Sequence, residues 1–411
     1  MISFEPTEDQ KLMVESVATF ARTTLRPKIR DFERERGVPE AIRNTAAELG
    51  LALVALPESV GGAGLGLTTA VLLEEEIAWA DPAVPFALSG PGALGFAVTE
   101  LGSAEQAKAA LAPFASGTSF GAVAWGERKA NPDRPGFSTT AKKEGNGWRL
   151  DGTKAYVVNA DRASSFVVFA QVDADKGWSG LGAFVVDAKT KGLTVLARET
   201  TLGLDAASFG GITLDGVVVE DAARLMPAKG TFEAALVRFF AKQALVVAAR
   251  GVGLSRAAFE VTREYVDTRK AFGKPIGHFQ AVAFNVADRA MDVDAARGLV
   301  LRAASTWDVY DAAKPEGPPI REEEALLRSA QAIAFAHEAA MRCGDDGVQL
   351  HGGAGFMRDY PVEKLMRDAK QLGLCGMTAE HADQLAAAVE LGVPIDPGLV
   401  LPTPETQNAF V

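Results

Sequence analysis

The strongest restriction on how this chain folds is a set of long helical periodicities in its C-terminal half. From about Thr231 to Leu391, three segments keep an apolar repeat of three and four: FEAALVRFFAKQALVVAARGVGLSRAAFEVTREYVDTR, HFQAVAFNVADRAMDVDAARGLVLRAASTWDVYDAA and REEEALLRSAQAIAFAHEAAMRCGDDGVQL. Their connections are short and contain Gly or Pro. Long helices joined so tightly bury their apolar faces against one another, so the expected unit is an antiparallel four-helix bundle.

The period changes twice ahead of this unit. From Asp9 to about Ser116 the chain reads as helices. Thr7 and Gln10 predict a capping box, followed by Leu12, Val17 and Phe20 on one face. Pro39 and Gly50 bracket a second helix. From about Ser119 to Leu225 the period falls to two, in short runs such as KAYVVNA, SFVVFAQV and LGAFVVDA. These predict an antiparallel sheet or barrel. No long helices alternate with the strands, which disfavours a dinucleotide fold built of βαβ units. The expected class is α+β, mainly α. It comprises an N-terminal all-α domain (1–118), a middle antiparallel β domain (119–228), and a C-terminal helical bundle with an extended proline-rich tail (229–411).

Composition narrows the function. A chain of 411 residues is too long for one ordinary core. Its net charge of −11 argues against nucleic acid as a partner, while leaving room for an anionic ligand at a locally basic site. Cys343 and Cys375 cannot form a disulfide framework, and the histidines at 278, 337, 351 and 381 lack metal-ligand spacing, so no metal site is expected. Apolar runs such as LGLALVALP are too short to span a bilayer, so no membrane insertion is expected. The acidic start, MISFEPTEDQK, has no apolar leader core, and the expected location is cytoplasmic.

Two motifs carry candidate chemistry. In TRKAFGKPIGHFQ (Thr268–Gln280) a basic pair closes a helix, where the helix dipole favours it; Arg269 is also suited to grip a phosphate with two hydrogen bonds. In QLHGGAGFMRDYPVEKLMRDA (Gln349–Ala369) the glycines at 352, 353 and 355 let the backbone approach another body closely. The same glycines also suit a plain helix–helix corner. No strand precedes them, so they do not form a Rossmann loop.

Together with LPESVGGAGLG…EEEIA and GWRLDGTKAYVVNA, these motifs resemble the acyl-CoA dehydrogenase family of flavoproteins over nearly the whole chain. The resemblance implies a helical, β and four-helix-bundle fold, a homotetramer or dimer with FAD bound between subunits, an acyl-CoA or related thioester substrate from fatty acid metabolism, and electron-transfer flavoprotein as acceptor. It also implies site roles. Arg269 would meet the FAD pyrophosphate and Phe272 the adenine side. Gln280 and the segment Gln349, Leu350, His351, Gly352 and Gly353 would hold the pyrophosphate and adenosine of a neighbouring subunit's FAD. Tyr156, Val157 and Val158 would lie along the flavin, Thr378 near it, and Trp125, Gly126 and Glu127 on the middle-domain loop that contacts it.

The family's reaction is α,β-dehydrogenation, which requires a carboxylate to take the α-proton. Here the pattern departs. Gly376 stands where most members carry that glutamate, and Gln243 occupies the helix position used by some others. An amide is not a base at neutral pH. Gly126 replaces a threonine of the flavin loop, and Ala241 and Ala244 replace an aspartate and an arginine near CoA. Glu380, one turn beyond Gly376, is the weak candidate for a relocated base; it also reads as an ordinary first-turn carboxylate. Cys375 reads as a small buried apolar residue and Glu127 as structural. The implied readings are a dehydrogenase with an unconventional base, a member such as an acyl-CoA desulfinase that takes no α-proton, and a non-catalytic subunit paired with a paralogous chain. A flavin monooxygenase on the same fold is a weaker fourth reading.

Overall fold

A computed structural model describes residues 6–129, 131, 135–312 and 319–395; the proline-rich tail from 396 lies outside the described residues. The N-terminal region holds α1 (Glu8–Phe20), α2 (Ile29–Glu35), α3 (Glu40–Glu48), α4 (Gly66–Ala80), α5 (Val84–Ala87), α6 (Ala93–Leu101) and α7 (Ala104–Leu111). The Thr7 hydroxyl accepts from the Gln10 backbone and the Gln10 amide oxygen accepts from the Thr7 N–H, forming the expected capping box. Helix α4 is apolar nearly all round, with Leu67, Val71, Leu72 and Ile77 all buried, because other helices surround it.

The middle region is one seven-stranded sheet: β1 (Phe120–Ala124), β2 (Thr140–Glu144), β3 (Gly147–Val158), β4 (Ala163–Gln171), β5 (Leu181–Asp187), β6 (Leu193–Val195) and β7 (Phe209–Glu220). Its order is β1-β4-β2-β3-β7-β6, with β5 paired to β4. The β2–β3, β3–β7, β4–β5 and β6–β7 pairs are antiparallel as expected. β1 and β2, however, each run parallel to β4. β1 and β2 are not neighbours in the sheet; each lies along β4 in the same direction. One face of the sheet encloses a small core around Trp148, Phe166, Phe184 and Ile212.

The C-terminal region begins with α8 (Phe232–Thr268), followed by a hairpin of β8 (Lys270–Ala271) and β9 (Lys274–Pro275). Its turn residues Phe272 and Gly273 both have positive φ, 52° and 85°, as a two-residue turn that follows strand twist requires. Then come α9 (Gln280–Asp311), α10 (Glu322–His351), α11 (Val362–Leu372) and α12 (Ala379–Leu391). Helix α10 packs on α8, α9, α11 and α12, which makes it the bundle's central member. Helices α4 and α8 cross closely: a Cβ at Gly253 would fall 2.3 Å from the Glu75 carbonyl oxygen. One continuous apolar core therefore runs through both helical regions. Among the described residues, no helix is long and apolar enough to cross a membrane, and no group of three or more His, Cys, Asp and Glu side chains is placed to hold a metal ion.

Candidate active site

Where the three regions meet, a cavity of about 170 Å³ opens. Leu73, Glu74 and Ile77 of α4 face Gln243, Val246 and Arg250 of α8 across it. The spacing of each set puts it on one helix face. Val158 and Asn159, at the end of β3, and Phe86 complete the wall. In the stretch 371–378, Gly376 comes close to Gln243 of this wall. Gly376 has φ +77°, and a Cβ built on it would lie 2.7 Å from Gln243 Oε1 and 3.4 Å from Ala244 Cα. The two positions singled out in the sequence as base slots are thus neighbours in space, and the Gln243 amide fills the room beside the glycine.

The other candidates in that stretch lie apart from the cavity. Thr378 caps α12, its hydroxyl accepting from the His381 N–H at 3.3 Å. Glu380 is exposed in the first turn of α12; the backbone there and the Thr378 side chain hold its carboxyl below the usual range. Cys375 is buried, and burial pushes its thiol up to about 12. Neither residue lines the cavity.

The loop after β1 is anchored from within. The Glu127 carboxylate accepts from the backbone N–H groups of Ser138 and Thr139, each at 2.9 Å, and from Lys154 Nζ at 3.1 Å. Burial opposes its ionisation, but Lys154 and these donors hold its carboxyl below the usual range. Lys154 is fully buried, which draws its ammonium down to about 7 despite Glu127. Glu127 therefore acts as the clamp that shapes the loop. The Gly126 carbonyl accepts from the Ala155 N–H. Trp125 sits edge-on to Phe137 at 4.8 Å and to Phe240 at 4.7 Å. Beside Phe240, Ala241 and Ala244 are wholly buried.

In β3, the pairing with β7 shifts between Ala155 and Val157, and Tyr156 adopts φ 57°. A positive φ on a bulky aromatic residue is strained. It turns the Tyr156 ring outward, 56% exposed, with the Arg128 guanidinium 5.8 Å from the ring centroid. Val157 points into the sheet's core, and Val158 faces the cavity.

A second, open site of about 920 Å³ brings both C-terminal motifs together. Arg269, Gln349, Leu350, His351, Gly352 and Gly353 all line it. Tyr265 stacks on His351 at 4.1 Å, and His351 Nδ1 contacts the Gly347 carbonyl oxygen at 2.7 Å. His351 Nε2 is buried with no hydrogen-bond partner among the described residues. Nothing stands within 4 Å of a Cβ built on Gly352 or Gly353, so both leave open space over the backbone. Phe272, on the hairpin turn, is 97% exposed, and Gln280 is exposed at the start of α9; neither lines the groove. An arginine fork, bare glycine backbone and an unpaired ring nitrogen fit the diphosphate and adenosine of a dinucleotide such as FAD. The cavity end offers apolar surface at Val158, which fits a flavin ring held by packing.

Sequence reasoning missed Glu74 and Arg250. The signals were an arginine inside the otherwise apolar LVVAARGVGL and the first of three glutamates in LLEEEIA. The chain matches the families described as acyl-CoA dehydrogenase N-terminal domain over residues 7–118, middle domain over 122–217 and C-terminal domain over 232–388. A probable acyl-CoA dehydrogenase of Bacillus subtilis is 32% identical over 383 residues, 92% of this chain and 97% of that protein. The caffeyl-CoA reductase-Etf complex subunit CarC of Acetobacterium woodii is 31% identical over 88% of this chain and 93% of that protein. The butyryl-CoA dehydrogenase structure from Megasphaera elsdenii superposes with a TM-score of 0.84 at 28% identity, covering 95% of this chain and all of that one. With all three domains matched in order, this chain belongs to the acyl-CoA dehydrogenase family.

Proposed function

We propose that this protein binds FAD and a short acyl-CoA thioester and carries out α,β-dehydrogenation or its reverse, without a carboxylate at either of the family's base slots. The observation that carries this reading is the placement of the Gln243 amide: Gln243 lines the cavity, and its Oε1 lies 2.7 Å from where a Cβ on Gly376 would stand. This is the meeting point expected of a reacting acyl carbon, and it is furnished with an amide. Bound FAD would supply the two-electron acceptor. The chain's own residues do the rest. Arg269 and the Gln349–Gly353 backbone grip the diphosphate. Val158 and the Tyr156 bulge bound the ring. The apolar cavity excludes water around the acyl group. Gln243 can donate a hydrogen bond to a thioester oxygen but cannot accept the α-proton. The Etf-complex membership named for the Acetobacterium relative supports an electron-transfer flavoprotein as redox partner.

The test is twofold. Purified protein is expected to be yellow and to bleach slowly when mixed anaerobically with a short acyl-CoA. Gln243→Glu places a carboxylate in the same wall, and is expected to raise that rate by about 10²-fold or more, the usual worth of a positioned general base. Flavinated protein that no acyl-CoA bleaches, with or without the substitution, refutes the dehydrogenase reading.

The same amide favours a second reading, a reaction in which no α-proton leaves. Acyl-CoA desulfination is of this kind. Release of sulfite from a sulfinoacyl-CoA by the unsubstituted protein, with no exchange of α-hydrogen for solvent deuterium, would select it over the first.

A further inference from the structure

The cavity has a polar wall that the reaction above leaves unused. Arg250 lies seven residues beyond Gln243 on α8, about 10 Å along the helix axis. It is 9% exposed. Its Nε and Nη2 donate to the two Glu74 carboxylate oxygens at 2.7 and 3.2 Å, and its guanidinium carbon stands 4.2 Å from the centre of the Phe86 ring. Its Nη1 makes no hydrogen bond among the described residues. Asn159, 7% exposed, lines the same cavity. Its Nδ2 donates to the Phe86 carbonyl oxygen at 2.8 Å, and its Oδ1 is buried without a partner. One wall of the cavity thus holds an arginine nitrogen that its carboxylate partner leaves unused, and a buried acceptor that is unfavourable to leave unpaired.

The chemistry of the missing partner follows from these groups. Arg250 and Glu74 cancel one another's charge, and a ligand carboxylate would meet both the Glu74 carboxylate and Asn159 Oδ1. A methyl would leave donor and acceptor unpaired. A hydroxyl accepts from Arg250 and donates to Asn159. The cavity is only about 170 Å³, so the acyl chain it takes is short. We propose that the acyl group accepted by this protein is short and carries a hydroxyl near its far end, held between Arg250 and Asn159. The proposal rests on the acyl-CoA reading above.

The experiment is calorimetric binding of two unreactive coenzyme A thioethers to the flavinated protein. Their alkyl tails match in length, at about five carbons; one ends in a hydroxyl and the other in a methyl. The hydroxylated tail is expected to bind at least about tenfold more tightly. Glu74→Leu combined with Arg250→Met removes both charges at similar volume, an exchange that buried ion pairs commonly tolerate, and should abolish that preference. Arg250→Lys keeps the pairing with Glu74 but loses the guanidinium fork, and should also lose it while melting as the parent does. Equal binding of the two tails by the parent overturns the proposal, as does a preference that survives in both variants. If neither thioether binds, the proposal and the acyl-CoA reading fall together. If both bind tightly without preference, only the proposal falls.

Discussion

Gly376 has a backbone reason to be glycine. At φ +77° a side chain is strained by about 1–2 kcal/mol, and any Cβ there must also displace the Gln243 amide. Gly376→Ala is therefore expected to lower the unfolding free energy by about that amount in urea titration. It follows that the two ways of returning a carboxylate are unequal. Gly376→Glu should be less stable and gain less turnover than Gln243→Glu, because the second change is close to isosteric and leaves α8 undisturbed. Equal gains in anaerobic bleaching rate would show that the loop relaxes freely. Cys375, next to the glycine, is the opposite case. It is 9% exposed, its Sγ lies 3.5 Å from the Gln371 carbonyl oxygen, and burial raises its thiol to about 12. Cys343 is buried and raised in the same way. Neither thiol should react with a disulfide reagent in the native protein at neutral pH, and both should react once it is unfolded. Fast native labelling of either would contradict this burial.

Helix α10 carries a titratable group into the core that joins it to α12. His337 is 5% exposed and neither ring nitrogen has a hydrogen-bond partner among the described residues. Burial pulls its pKa down to about 4, with the Met377 backbone and Glu380 opposing in part. The folded state therefore keeps the ring neutral, whereas the unfolded chain takes up a proton below about pH 6.5. Stability from this group is complete above pH 6.5 and is lost as pH falls towards 4. The loss amounts to about 3 kcal/mol at the lower end, on the order of 1.4 kcal/mol per unit. His337→Leu should flatten the unfolding free energy over that window; an unchanged slope would assign the acid sensitivity to other groups.

Elements such as α10 were legible in the sequence because their signals are local. The long apolar repeats gave the bundle, Thr7 and Gln10 gave the first cap, and the shift to period two gave the sheet. The parallel runs of β1 and β2 beside β4 were not legible, since strand direction is set by a connection that the period does not encode. The site divides in the same way. The groove of Arg269 and Gln349–Gly353 was readable from two motifs. The contact of Gln243 with Gly376, and of Glu74 with Arg250, depends on segments far apart in the chain that only the packed fold brings together.

At the scale of the whole molecule, the groove and the cavity lie on one helix but far from each other. Gln243 and Arg269 are 26 residues apart on α8 and its cap, about 39 Å at the rise of an α-helix. That is much longer than a dinucleotide, so on the proposed reading a single FAD would not reach from the groove to the cavity of the same chain. A second copy supplying the groove would resolve the mismatch. The exposed Phe272, Phe284, Met291 and Phe356 along this region give such a copy an apolar surface to cover. The consequence is a complementation test. Arg269→Ala should weaken the grip on the diphosphate, and Val158→Trp should block the ring end; each variant alone is expected to purify without flavin. Co-expressed, they can form mixed assemblies in which one cavity is intact and is served by one intact groove. The flavin-to-protein absorbance ratio should then recover to part of the parent value, whereas simple mixing of the folded variants should give less. Retention of full flavin by Arg269→Ala alone would remove the groove from the cofactor site. If each variant lacks flavin but co-expression restores none, each FAD is held within one chain, and the path from groove to cavity must be shorter than α8 implies.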